Sequence, residues 1–189
     1  MANRAYLYSM NKVPEKGPAT PGIKITGLNE YNWEIPLAFL ILVSEDTKIC
    51  KSLIYEGENS GILGDYAKGV QQLQKLLELI RENGVQFPEI YDTKCRETLE
   101  FLNDEKNKQK YIFLELGEIF AINGEIADQP EKFLTEIKYV RRLLDNNEFE
   151  SLNTYMVDDV RTHWESSLGI GYWSNILYFD FSPQESDNK

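Results

Sequence analysis

One histidine (His163) and two cysteines (Cys50 and Cys95) are all the imidazole and thiol ligands that this chain of 189 residues offers to a metal. A zinc site with two histidines cannot be built in one chain, and two isolated cysteines cannot complete a cysteine-rich site. No metal or other cofactor is therefore expected. The cysteines stand at no metal-type spacing and read as buried, reduced thiols. With 12 Gly and 7 Pro, collagen-like and low-complexity classes are excluded. The longest apolar run, Ile35 to Val43, has nine residues, against the ~18 or more that a membrane span needs. No membrane association is expected. The opening residues have no apolar signal segment, position 2 is Ala rather than the Gly of a myristoylation site, and Ser186 to Lys189 form no prenylation box. These readings together predict a cytoplasmic protein.

What the chain does have is acid. It carries 20 basic and 31 acidic residues, a net charge of −11 with His163 neutral. Up to Cys95 there are 10 basic and 12 acidic residues; beyond it there are 10 and 19, so the excess belongs to the second half. A nucleic-acid binder neutralises phosphates with Lys and Arg, so no nucleic-acid partner is expected. The balance suits solubility by self-repulsion, or an acidic surface offered to a basic protein partner.

Apolar periodicity supplies the elements. Arg4 to Ser9 reads as a strand, and the Pro- and Gly-rich stretch 10–30 as an irregular excursion. Residues 36–43 are apolar all round, so helix and strand stay open there, with Pro36 favouring a helix start. Lys48 to Tyr55 reads as a strand. Asp65 is a good N-cap for a helix whose stripe is Tyr66, Val70, Leu73, Leu77 and Ile80, ended by Asn83-Gly84. A second helix is predicted over Thr93 to Asn103. Tyr111 to Leu116 and Glu118 to Ile122 read as the two strands of a hairpin around Gly117. Pro130 opens a helix with Phe133, Ile137, Val140 and Leu144 inward. Another, over Ser151 to Ser166, turns Leu152, Met156, Val160 and Trp164 inward. Asn175 to Phe181 reads as a last strand before a polar tail over 182–189. The expected fold is α+β over residues 1–189, one domain, with an antiparallel or mixed sheet covered by four to five amphipathic helices.

Few constellations suggest chemistry. His163 has Asp159 four residues before it, and on a helix the two would pair; a half-buried structural role explains it equally. Glu115 and Glu118 flank Leu116-Gly117, and paired carboxylates can divide acid and base roles. They also fit the polar positions of a half-exposed hairpin. Gly61 to Gly64 lacks the Lys-Ser or Lys-Thr of a phosphate loop, and Gly169-Ile170-Gly171 has Ser174 where a dinucleotide fingerprint needs a third Gly. The densest feature is aromatic: Tyr172, Trp173, Tyr178, Phe179 and Phe181 fall within ten residues. If Leu177, Phe179 and Phe181 face the core, Tyr178 and Asp180 face outward, with Tyr172 and Trp173 at the loop entrance. Aromatic anchors beside acids suit recognition of a protein. The candidate binding residues are thus Tyr172, Trp173, Tyr178, Asp180, Glu115, Glu118 and His163.

Met1-Ala-Asn-Arg-Ala-Tyr-Leu-Tyr-Ser9, Glu34-Ile-Pro-Leu-Ala-Phe39, Gly64-Asp-Tyr-Ala-Lys-Gly-Val70, Leu114-Glu-Leu-Gly-Glu-Ile-Phe120 and Trp173-Ser-Asn-Ile-Leu-Tyr-Phe-Asp180 are spread over nearly the whole chain. In these segments the chain resembles a family of bacterial proteins of unknown function. The resemblance implies a bacterial, cytoplasmic, single-domain protein and brings no activity or functional residues with it. The reading preferred from the sequence is a non-enzymatic, acidic protein-binding module of immunity or antitoxin type. The alternatives are a small enzyme using a carboxylate or His163, and a small-molecule sensor with an aromatic stacking wall. The sequence does not specify an oligomeric state.

Overall fold

Five strands hydrogen-bond in the order β3-β1-β6-β5-β4, antiparallel throughout. They are β1 (Arg4–Met10), β3 (Ile25–Asn32), β4 (Lys48–Cys50), β5 (Gly61–Asp65) and β6 (Tyr111–Glu115), while the short β2 (Glu15–Pro18) stands outside this order. The computed structural model describes residues 3–181, so the tail expected over 182–189 lies outside the described residues. Seven α-helices are described: α1 (Leu37–Leu42), α2 (Tyr66–Glu82), α3 (Pro88–Asn103), α4 (Gly117–Asn123), α5 (Pro130–Asp145), α6 (Phe149–Tyr155) and α7 (Trp164–Leu168). The fold is α+β in a single domain, as the sequence predicts, with more helices than expected. No helix among the described residues is long and apolar enough to cross a membrane.

Period-2 alternation in the strands sends apolar residues to both faces of the sheet. Leu7, Leu28, Ile62, Ile112 and Leu114 join the larger core with the helices. Tyr6, Tyr8, Met10, Leu63 and Phe113 form a smaller core on the opposite face with Leu53 and Leu177. No helix contributes to that second core among the described residues; loops and the C-terminal segment close it.

The ambiguous run 36–43 resolves as a helix. Every residue of α1 is buried, as an all-apolar sequence requires, and α1 sits under α2, α5 and α7. The Asp65 cap forms as expected, its Oδ1 accepting the Lys68 N–H at 2.9 Å, and the whole predicted stripe of α2 is buried. Helix α5 opens at Pro130 as expected and buries Phe133, Ile137, Val140 and Leu144. Helix α3 begins earlier than predicted, at Pro88.

Five expectations are corrected. First, the irregular excursion shrinks, because β1 runs to Met10 and residues 25–32 form β3. Leu7 faces Asn29 while Tyr8 faces Gly27, so Leu28 is bulged out of the pairing and the alternation that marks a strand slips by one residue. Gly27 is there for close packing, since a Cβ would lie 2.8 Å from Leu177 Cγ. Second, the strand over 48–55 stops at Cys50. The Ser52 hydroxyl accepts the N–H groups of Ile54 and Tyr55 and turns the chain.

Third, the hairpin at Gly117 does not exist: β6 leads directly into α4, and Glu118 to Ile122 are helical. Fourth, the helix predicted over 151–166 is two helices. Asn153 Oδ1 takes the Val160 N–H and Asp159 Oδ1 takes the Arg161 N–H, so side chains replace helical carbonyls between them. Leu152, Val160 and Trp164 still face inward. Fifth, 175–181 is no strand. No backbone–backbone hydrogen bond joins it to β3 among the described residues; Ser174, just before it, donates its N–H to Leu28 O at 3.0 Å.

Helix α2 carries Gly69 where it crosses α1, and a Cβ there would overlap the Leu42 carbonyl. Helix propensity alone favours alanine over glycine by about 1 kcal/mol, but overpacking against backbone costs more. Gly69→Ala is expected to lose about 2 kcal/mol in urea unfolding, whereas the exposed neighbour Gln71→Ala changes by less than about 0.5 kcal/mol. A stabilised Gly69→Ala would contradict this packing.

Candidate recognition surface

The residue that organises the second face is Glu115, at the end of β6 and 0% exposed. It stands opposite Tyr6 on one side and Gly61 on the other. Its Oε2 accepts from the Ser52 hydroxyl at 2.9 Å and the Leu53 N–H at 2.6 Å; its Oε1 accepts from the Ser60 hydroxyl at 2.6 Å and the Gly117 N–H at 3.0 Å. A carboxylate has about four lone-pair sites, and all are used. The loop 51–60 and the first residue of α4 are thereby tied to the sheet. The Ser52 oxygen, which donates once and accepts twice, has no lone pair left for nucleophilic attack.

Glu118, in the first turn of α4, is half-buried and does different work. Its Oε2 accepts the Arg4 N–H at 2.8 Å and the Tyr6 hydroxyl at 3.1 Å. The two glutamates are thus neighbours at one end of β6, each engaged by the protein itself. His163 is exposed at the N-terminal end of α7, with Nδ1 2.9 Å from the Thr162 hydroxyl. No hydrogen bond or ion pair joins it to either glutamate among the described residues. The expected Asp159 partnership is replaced by Arg161, whose guanidinium holds the Asp159 carboxyl down to about 2. Cys50 is buried as expected, whereas Cys95 is only half-buried. Burial pushes Cys95 up to about 11 and Cys50 higher still, so both are poor nucleophiles.

The aromatic segment behaves as its alternation predicts, although it is not a strand. Leu177 is buried over Gly27, Phe179 meets the Tyr6 ring edge-on at 5.5 Å, and Phe181 meets Tyr8 at 5.6 Å. Tyr178 and Asp180 face outward. Trp173 turns partly inward, its Nε1 donating to the Thr98 hydroxyl at 2.9 Å and its ring tilted on Phe101. Tyr172 points out and is 82% exposed.

Around the end of β3 these residues meet others that the sequence did not single out. The Tyr178 N–H donates to Glu30 Oε2 at 2.7 Å, and the Arg4 guanidinium lies 4.6 Å above the Tyr178 ring and 3.4 Å from Glu30. Beside this cluster a groove of about 310 Å³ opens between β3 and α7, lined by Glu30, Tyr31, Glu165, Gly171 and Tyr172 among others. Burial, then the charges of Glu34 and Glu165, push the Tyr31 phenol up. Two residues beyond Tyr31, Trp33 is 59% exposed with φ of 70°. The left-handed region costs an L-residue roughly 1–2 kcal/mol. An exposed tryptophan held there is conspicuous.

Tyr31, Trp33 and Glu165 escaped the sequence reading for identifiable reasons. The first two lie at the end of a strand disguised by a bulge. Glu165 sits on a helix whose bounds were misplaced. The aromatic pair Tyr31 and Trp33, at strand spacing, was the signal that could have found them.

Two other cavities carry less. A cleft of about 580 Å³ between β2 and the loop 51–57 has the spoken-for Ser52 in its wall. A shallow groove of about 290 Å³ between α2 and α3 has the inert Cys95 in its lining.

Residues 11–154 match the family model described as Domain of unknown function (DUF7822), more than half of the chain, so the protein belongs to this family. No curated protein and no solved structure matches it. The matched range takes in Glu115, Glu30 and Tyr31 and stops before Glu165 and Tyr172.

Replacing a buried acceptor by a group that must also donate leaves donors facing one another. Glu115→Gln is therefore expected to lose about 3 kcal/mol of unfolding free energy, and Ser60→Ala about 1 kcal/mol, both read by urea titration. A Glu115→Gln protein within 1 kcal/mol of the wild type would show that this carboxylate holds little.

Proposed function

We propose that this member of the DUF7822 family is a non-catalytic bacterial protein, acting in the cytoplasm, that masks a basic surface of a partner protein in the manner of an immunity protein or antitoxin. The observation that carries this reading is the exposure of Tyr172 and Tyr178 around Glu30 and Glu165, with Trp33 exposed just past the end of β3. Interface energy concentrates in a few aromatic and arginine anchors. Solubility alone would need the carboxylates and not the aromatics. The net charge of −11 adds long-range steering, which raises the association rate with a basic surface and weakens with salt.

Support also comes from the residues first considered for chemistry. Glu115 has its four acceptor sites filled, Glu118 is held by Arg4 and Tyr6, and His163 stands apart from both. A general acid or base must reach substrate within hydrogen-bond distance, and a fully buried, saturated Glu115 does not.

The test is a paired pull-down from the native bacterium at low salt, with the wild-type chain and a Trp33→Ala, Tyr172→Ala double variant as baits. Both side chains are largely exposed, so the variant is expected to keep its melting temperature within a few degrees. The reading predicts a stoichiometric basic protein on the wild-type bait, eluted by rising salt and depleted at least about tenfold on the variant. Equal retention on both baits, or no basic protein on either, would contradict it.

A further inference from the structure

The geometry points to the groove between β3 and α7 as the seat of a single arginine side chain from the basic partner. This rests on the reading of the molecule as an acidic protein-binding module and narrows it to one contact.

The surface already contains one worked instance of such a seat. Arg4 has its guanidinium 4.6 Å over the Tyr178 ring, 3.4 Å from Glu30 Oε1, and its Nε donates to Asn32 Oδ1 at 2.9 Å. One ring, one carboxylate and one amide oxygen hold one planar cation. Immediately beside it, the groove repeats two of these components, with Tyr31 and Tyr172 as rings and Glu165 as carboxylate. Glu165 forms no ion pair among the described residues. The proton of Lys94 is held chiefly by Glu97, with smaller help from Glu165 and Tyr172. That lysine stands nearby with its ammonium on Glu97 at 2.9 Å.

Size and access agree with an arginine. A volume of about 310 Å³ is at the small end of ligand sites and suits one side chain rather than a cofactor. Gly171 keeps the groove open beside the carboxylate, since a Cβ there would lie 2.8 Å from Glu165 Oε1. A guanidinium stacks on aromatic faces while bonding a carboxylate through its edge; a lysine ammonium supplies the charge but not the plane.

The experiment titrates the isotope-labelled full chain with N-acetylarginine amide and its neutral isostere N-acetylcitrulline amide, read by amide chemical shifts. Arginine is expected to move Tyr31, Glu165, Gly171 and Tyr172 with a millimolar dissociation constant, and citrulline to bind at least about fivefold more weakly. Glu165→Gln, Tyr172→Ala and Gly171→Ala should each weaken arginine roughly threefold or more, while the first two leave the melting temperature unchanged. Equal shifts from both probes, shifts centred elsewhere, or none up to about 100 mM would overturn the assignment. So would a basic partner captured equally by wild-type and Glu165→Gln baits, and the wider reading would then survive. Capture of no basic protein by any bait is a failure of the wider reading, whatever the titration shows.

Discussion

A sheet that is apolar on both faces needs two covers, and the helices among the described residues supply only one of them. The second cover is assembled from loops and the C-terminal segment, whose backbone groups have no ladder to join. A single buried carboxylate makes that cover possible. Glu115 gathers two serine hydroxyls and two backbone N–H groups from the loop 51–60 and the start of α4. Loop 51–60 and the entry to α4 thereby become extensions of β6. Such a group is a poor source of net stability against an apolar alternative but a strict specifier of geometry. With the loop fixed, Leu53 joins Tyr6, Tyr8, Phe113 and Leu177 in a closed second core.

The surface of interest is a consequence of that closure. Residues 177–181 lie across the second face because Leu177, Phe179 and Phe181 find partners there, and the intervening Tyr178 must then face outward. Its N–H reaches Glu30, and Arg4 closes over its ring. On the other side of β3, Gly169 to Tyr172 leave α7 along the edge near Tyr31, and the groove is the gap between them. Its walls come from opposite ends of the chain, joined by packing that has nothing to do with recognition.

Legibility in the sequence followed the physics of each element. Helices with one apolar stripe were readable, because period 3.6 survives wherever a helix has a wet side; α2 and α5 show it. The inward set Leu177, Phe179 and Phe181 was readable as well, since alternation depends on extended backbone and not on a ladder. What failed depended on single side chains capturing backbone groups. Ser52 ended β4, Asn153 and Asp159 split the helix after Tyr155, and Glu115 drew Gly117 into a helix where a hairpin was expected. Periodicity carries no trace of such events. The bulge at Leu28 hid β3, and with it Glu30 and Tyr31.

The candidate site was half legible for the same reason. Tyr172 and Tyr178 could be found by aromatic density alone, whereas Trp173 from the same segment turns partly inward to Thr98. Their counterparts on β3 and α7 required the topology that brings those elements together.

The central claim is that the loop-built cover belongs to the cooperative core of the molecule, and amide hydrogen exchange of the wild-type chain tests it most directly. If the account holds, the N–H groups of Leu53 and Gly117, both bonded to Glu115, exchange within about tenfold of sheet amides such as those of Ile62 and Leu114. Exchange of Leu53 and Gly117 at rates near those of an open chain, while the sheet stays protected, would show that the second face opens on its own. The carboxylate would then not be what holds it shut.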